Sequence, residues 1–528
     1  MEHSLVWFKR DLRTHDHRPL AEAIERGSVT CAYFIEPGLW RNPDAATQHY
    51  LFILESLRNL HAELGLLGLK LNLLVGPALD CLARIRQVEP FDVIYSHEET
   101  GNAWTYERDK TIKRWARAHS VQWREFPQFG VRRGPHDRDH WKAAWEAFCS
   151  APQVVVPPCA YPSRVQIVDK PPLPAQLGLL DADPPARQHG GRKPALQTLE
   201  AFLNERSQQY RGGISSPLSA PTACSRLSAY LSYGCLSIKE VFQATQTTYR
   251  SLPAGRNRQR QGLQSFESRL YWHCHFIQKL EDEPEMESRN LHRGYDGLRE
   301  TEWSEQRFAA LSHGKTGWPL VDACVAMLAQ TGWLNFRMRA MLVSVAAYPL
   351  WLHWPRVGHW LARQFLDYEP GIHWSQMQMQ SGTTGINVPR IYNPVKQARD
   401  HDPKGLFVRQ WLPAMRLVPD VWLFEPWRMP PNVQKACGVI VGQDIGEPVC
   451  DLEAATRKAR QTVFALRSDP GVKAAKKAIV SKHGSRKQLE RTRATPSSDS
   501  KPRRTRSRRR TNANDPSTAT QTQLSLDF

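Results

Sequence analysis

The ten cysteines of this 528-residue chain form no C-x-x-C pair and no cluster with histidine at zinc-ligand spacing. Scattered as Cys31, Cys81, Cys149, Cys159, Cys224, Cys235, Cys274, Cys324, Cys437 and Cys450, they read as reduced, mostly buried thiols and argue against a small disulfide-stapled scaffold. The late pair Cys437 and Cys450 lacks the two further cysteines of an iron–sulfur quartet, so no metal is expected. The apolar run 340–354 is broken by Pro349 and falls short of the ~20 residues that span a bilayer. The opening MEHSLVWFKRDLR has no signal-peptide core, and a cytoplasmic location is expected. Nor does a G-x-G-x-x-G follow the first β-rich run, which disfavours an ordinary NAD site.

What is present is enough chain for two or three domains, with 41% hydrophobic residues to fill their cores. β-rich runs at Ser4–Phe8, Val29–Ile35, Leu69–Val75, Asp92–His97 and Val121–Phe126 alternate with helical stretches such as His49–Leu64 and Ala103–Ala118. That alternation predicts an α/β domain over residues 1–135, a doubly wound parallel sheet with helices on both faces. Residues 136–195 are rich in proline and short apolar fragments, as in VVVPPCAYP and KPPLPAQLG, and predict an inter-domain connector without a core of its own. Helical periodicity then dominates, so residues 196–455 are expected to be all-α.

The densest information lies in residues 316–394. Six tryptophans (Trp318, Trp333, Trp351, Trp354, Trp360 and Trp374) surround Arg337, Arg339, Asp367 and Glu369, a mixture unusual in a plain helical core and suited to a large, flat, polar-edged ligand. The series Thr316-Gly317-Trp318-Pro319, Asp322-Ala323, Thr331-Gly332-Trp333, Arg337 and Arg339, Asp367 and Glu369, then Arg390-Ile391-Tyr392-Asn393-Pro394 resembles the photolyase/cryptochrome family. So does the opening Leu5-Val6-Trp7-Phe8-Lys9-Arg10-Asp11-Leu12-Arg13 with His15-Asp16, which is similar to the first strand and loop of that family's antenna domain.

The resemblance implies FAD in the helical domain. Tyr210 and the run Cys224-Ser225-Arg226-Leu227-Ser228 stand at the family's phosphate-binding turn, where hydroxyls, backbone N–H groups and an arginine suit a diphosphate. Cys224 replaces a common threonine, and an ordinary helix cap would explain Ser225 by itself. Arg339 and Asp367, with Tyr368 and Glu369, correspond to the group that holds the isoalloxazine edge; a surface ion pair is the plain alternative. Phe266, Arg269 and Phe336 fall at further cofactor or substrate positions, Arg269 replacing a glutamate that contacts a cyclobutane dimer. Trp272 keeps a stacking position beside His273, and His273 and His275 are as readily surface histidines as acid or base. His373 or Trp374 occupies the place facing the flavin nitrogen that gains and loses a proton. Met377 and Met379 replace two tryptophans, leaving Trp354 and Trp333 as electron-transfer candidates, with Trp351, Trp374 and an outer Trp303. The antenna domain would carry a folate, a deazaflavin or a second flavin, with Glu107 near a folate-binding position.

The net charge of +19 is uneven: residues 471–510 hold 15 Lys and Arg against Glu490 and Asp499, a net of +13 that leaves +6 for the rest. Residues 456–528 therefore predict a basic, largely disordered tail that meets phosphates without reading sequence, or simply a solvated arm. Its last residues, Gln523, Leu524, Leu526 and Phe528 among them, resemble the peptide by which bacterial repair proteins hold the sliding clamp. Light-driven repair of UV-damaged DNA is the function the resemblance implies first. A blue-light photoreceptor of the cryptochrome type is second, and a DNA-binding protein without photochemistry leaves the aromatic pocket unexplained.

Overall fold

The protein is described by a computed structural model over residues 2–158, 160–255 and 257–484. Five parallel strands, β1 (Glu2–Phe8), β2 (Gly27–Ile35), β3 (Leu71–Val75), β4 (Val93–His97) and β5 (Gln122–Phe126), form a sheet in the order β3-β2-β1-β4-β5. Strand residues alternate between two cores. Val6, Phe8, Tyr33 and Tyr95 pack with helices α1 (Arg18–Arg26) and α2 (Thr47–Leu66) on one face. Leu5, Trp7, Phe34 and Ile94 pack with α3 (Ala78–Val88) and α4 (Ala103–Ala118) on the other. Both faces are thus covered, and the strands read as nearly continuous apolar runs. The order reverses between β1 and β4, the switch point at which such sheets open a crevice beyond their carboxyl ends.

The rest is helical, as expected. The connector carries more structure than its proline content implies: a helix at Trp141–Ser150 buries Trp141, Trp145 and Cys149, and Tyr161–Pro162 pairs with β2. Its aromatics supply the apolar face that a bare linker would lack. The helical domain centres on α5 (Arg258–Asp282), which packs against α9 (Pro370–Ser381), itself braced by α7 (Phe336–Ala347) and α8 (Trp354–Gln364); α6 (Pro319–Thr331) joins the second core around Trp318, Trp354 and Trp374.

Helical order also reaches into the segment expected to be an unstructured basic tail. Helices α10 (Leu452–Ser468) and α11 (Pro470–His483) follow Asp451, whose Oδ1 accepts from the Glu453 and Ala454 N–H groups at 2.9 Å. Leu452, Ala459 and Val463 give α10 a buried stripe, the latter two against Ala347 and Tyr348. The remaining basic run and the peptide Gln523–Phe528 lie outside the described residues. No helix among the described residues is long and apolar enough to cross a membrane.

Candidate functional site

The loop between α8 and α9 gathers the charged residues that the spacing singled out. Arg339 meets Asp367 side by side, Nη1 to Oδ1 at 2.9 Å and Nη2 to Oδ2 at 3.0 Å, while its Nε donates to the Leu334 carbonyl. Burial opposes the charge on Asp367, but Arg339, the Ser228 hydroxyl and Arg226 outweigh it and hold the carboxyl below its usual range. Two residues on, Glu369 is buried and receives Arg10 Nη2 at 3.0 Å. Burial pushes the Glu369 carboxyl up to about 7, with Arg10 pulling the other way. Arg10 also donates to the Ser232 and Tyr368 carbonyls. It stands just past β1, 359 residues from its acid, and sequence spacing gave no sign of the pairing.

The turn Cys224–Ser228 lies against this pair. Arg226 adopts a left-handed backbone (φ 61°), and its guanidinium sits 3.8 Å from the centre of the Trp333 ring. No carboxylate among the described residues pairs with it within 4.0 Å, and burial pulls its pKa down to about 10. A half-buried guanidinium without an acid, beside the Ser225 and Ser228 hydroxyls, fits the phosphates of a dinucleotide, and the flat wall of Trp333 with the Arg339–Asp367 edge fits an aromatic ring system. The residues present therefore suit FAD. Arg206, which sequence reasoning missed, fixes the turn by donating to the Cys224 and Ser225 carbonyls at 2.6 and 3.2 Å. Tyr210 is buried next to Arg269. Phe266 and Leu227 face the core instead, Phe266 against Phe202 and Tyr210, and Phe336 opens α7 at 37% exposure.

Trp272, on α5, stacks with Phe276 at 5.6 Å and meets His275 edge-on, while Arg138 contacts the His275 ring. His273 points to the other side, against Phe129, and burial lowers its pKa to about 4. His373 donates from Nε2 to the Gly358 carbonyl at 2.9 Å, and burial takes its pKa to about 3, so it is neutral. Its ring touches Trp374, which meets Trp354 at 5.9 Å. Trp354 donates to Asn290 and lines a surface cavity with His353 and Glu300. Trp303 instead packs on Phe308 under Arg356, and Met377 is buried in the same core as Trp354 and Trp374.

A second opening lies at the switch point of the sheet, lined by Trp7, Tyr33, Glu36, Asp44, Arg108 and Tyr368 among others. Tyr368 was expected on the same ligand as Asp367 but turns here, its hydroxyl donating to Asp44 at 2.7 Å, beyond the turn that its N–H closes on the Phe365 carbonyl. Glu107 is exposed and pairs with Lys110; its neighbour Arg108 reaches into the cleft instead, to Glu36 at 3.0 Å and Glu99 at 2.6 Å. Nearby, the buried carboxylate of Asp11 accepts from His17 and His97 at 2.9 and 2.8 Å, a hydrogen-bonded triad that pins β1 to α1 and β4.

Comparison with known proteins matches residues 4–130 to the DNA photolyase family and residues 266–465 to the FAD binding domain of DNA photolyase. Cryptochrome DASH of Gloeobacter violaceus is 29% identical over 85% of this chain and 93% of its own. A deoxyribodipyrimidine photo-lyase of Alkalihalophilus pseudofirmus is 24% identical over 86% and 96%. Among solved structures, a class III photolyase from Agrobacterium tumefaciens superposes with a TM-score of 0.76 at 23% identity, covering 89% of this chain and 98% of that one. An archaeal photolyase from Sulfolobus tokodaii with two FAD molecules gives 0.69 at 22%, over 88% and 100%.

Proposed function

Because this chain belongs to the photolyase/cryptochrome family and carries its FAD-binding domain, we propose that it repairs UV-induced pyrimidine dimers in DNA under blue light. FAD, when bound, supplies light-driven one-electron chemistry. The observation that carries the reading is the Arg339–Asp367 pair with Arg226 beside it. Two guanidinium groups against one ionised carboxylate leave a local excess of positive charge, which favours a negatively charged ring system. Neutral His373, its Nε2–H already given to Gly358, brings no further charge. Trp272, at the family's stacking position, packs with Phe276 and His275, and Arg138 contacts His275, an aromatic group of the kind that an extruded base requires. In this reading residues 1–135 serve as the antenna domain and residues 196–455 as the FAD- and DNA-binding domain. The cleft at Trp7, Tyr33 and Arg108 holds the second pigment, a folate, a deazaflavin or a second flavin, and extraction with absorption spectroscopy identifies it.

The decisive experiment is light-dependent repair of oligonucleotides carrying either a cyclobutane dimer or a (6-4) photoproduct, against dark controls. Restoration of one lesion names the substrate. Restoration of neither by a protein that holds FAD and photoreduces would favour a blue-light photoreceptor, a reading supported by Arg269 lying beside Tyr210 where the family's dimer contact is acidic. UV-damaged DNA is the partner, and the terminal Gln523, Leu524, Leu526 and Phe528 form a sliding-clamp contact. A pulldown in which Leu524→Ala with Phe528→Ala holds the clamp as well as the wild type would remove that contact.

A further inference from the structure

Beneath the C-terminal helices, away from the charged pair that fits FAD, sits a cation with no anion. Arg299 is 1% exposed, its guanidinium 5.4 Å from the Tyr348 ring centre and 4.7 Å from that of Trp351. Among the described residues its Nε and Nη2 have no hydrogen-bond partner. These two nitrogens share one edge of the guanidinium, the edge that presents parallel N–H groups to a bidentate or single-centre acceptor. The hydroxyls of Tyr295 and Tyr348, 1% and 0% exposed, also find no acceptor, and Arg467 of α10 stands beside Tyr295.

The nearest acid does not answer this need. Glu300 accepts from the Arg299 backbone N–H at 2.8 Å and lies 3.7 Å from His353, and among the described residues no carboxylate pairs with the Arg299 guanidinium. Burial lowers the Arg299 pKa only to about 10, so it keeps its charge at neutral pH. Gly382 packs against this group: with φ 78°, a Cβ there would lie 2.5 Å from Tyr348 Oη. An unpaired buried cation costs several kcal/mol, and buried donors are ordinarily satisfied.

We propose that Arg299, Tyr295 and Tyr348 form a binding site for a small inorganic anion, a halide or an oxyanion such as phosphate, whose occupancy holds α10 on the helical domain. Arg467 then acts from α10 on the same charge, so the anion stabilises the docking of the C-terminal helices.

The test uses the full chain in the dark and reads melting temperature as sodium chloride or sodium phosphate replaces potassium glutamate at constant ionic strength. A saturable rise of several degrees with one of the two salts is expected, and the salt that acts names the anion. The rise should vanish in Arg299→Met and weaken in Tyr348→Phe; should Arg299→Met fail to fold, the Tyr348→Phe shift decides. Crystals grown in bromide should show an anomalous peak within hydrogen-bonding distance of Arg299 Nε. Equal melting in all salts, with no bromide at Arg299, would overturn the proposal and leave a merely hydrated cation.

Discussion

At the residue scale the site rests on charges that tertiary contacts hold in fixed states. Arg339 and Asp367 share two hydrogen bonds in a poorly solvated loop, and such charge-assisted bonds contribute about 1.5–3 kcal/mol each. Arg339→Ala or Asp367→Asn should therefore weaken FAD retention by about tenfold to a hundredfold, read as flavin absorbance after gel filtration; unchanged retention would refute the placement. Arg10→Ala removes the partner of Glu369. Its expected effect is a rise in the Glu369 pKa above its value of about 7, followed by the infrared carboxyl band, with FAD retention less affected than in Arg339→Ala. The Arg339–Asp367 pairing was legible only through the resemblance of the R-x-R and D-x-E residues to the family's series. The Arg10–Glu369 pairing was not, since the two residues come from different domains and no local pattern records a contact across hundreds of positions.

At the scale of elements, α8 and α9 cross closely because Gly358 leaves room for Trp374: a Cβ at Gly358 would lie 2.4 Å from the Trp374 ring. That approach sets Trp374 between His373 and Trp354, which under the proposed function makes it a candidate for the electron route beside the buried Met377. Trp374→Phe and Trp354→Phe should each slow photoreduction of bound FAD at least tenfold while the dark flavin spectrum persists; wild-type rates in both would move the route elsewhere. Gly358→Ala should cost about 1–3 kcal/mol in stability, as overpacking does, and slow photoreduction in parallel, checked by thermal melting beside the kinetics. Helix periodicity revealed the all-α region that contains α8 and α9, but periodicity does not report crossing angle or which ring meets which. The helix at Trp141–Ser150 escaped sequence reading for a related reason, since the surrounding prolines dominate the local pattern while its apolar face gains meaning only against the helical domain.

At the scale of the whole molecule, pH acts through groups buried in both domains. His49, His97, His273 and His373 are pushed by burial to about 4, 3, 4 and 3. Each is neutral when folded but takes a proton near pH 6.5 when unfolded, so stability should fall as pH drops from about 6.5 toward 4. Glu369, raised to about 7, works in the opposite sense, favouring the fold below pH 4.5 and losing that contribution as pH rises through 7. Glu287, raised to about 7, and Asp322, raised to about 6, act with Glu369, but the four histidine shifts outweigh the three carboxyl shifts, and thermal melting between pH 7 and 4 should decline; a flat profile would mean that the histidines are solvated. Glu369→Gln should steepen the decline. The amino-acid sequence by itself determined the plan of a parallel α/β sheet followed by a helical domain, because strand and helix periods and the apolar content of parallel strands are local properties. It also determined the family, because the motif series depends on residue order. Tertiary structure alone decided that Tyr368 turns away from Asp367, that Arg10 reaches Glu369, that Arg299 is buried without an acid, and that the basic segment begins as two docked helices. Each of those outcomes depends on burial and on distances between residues remote in the chain, quantities that exist only once the chain has packed.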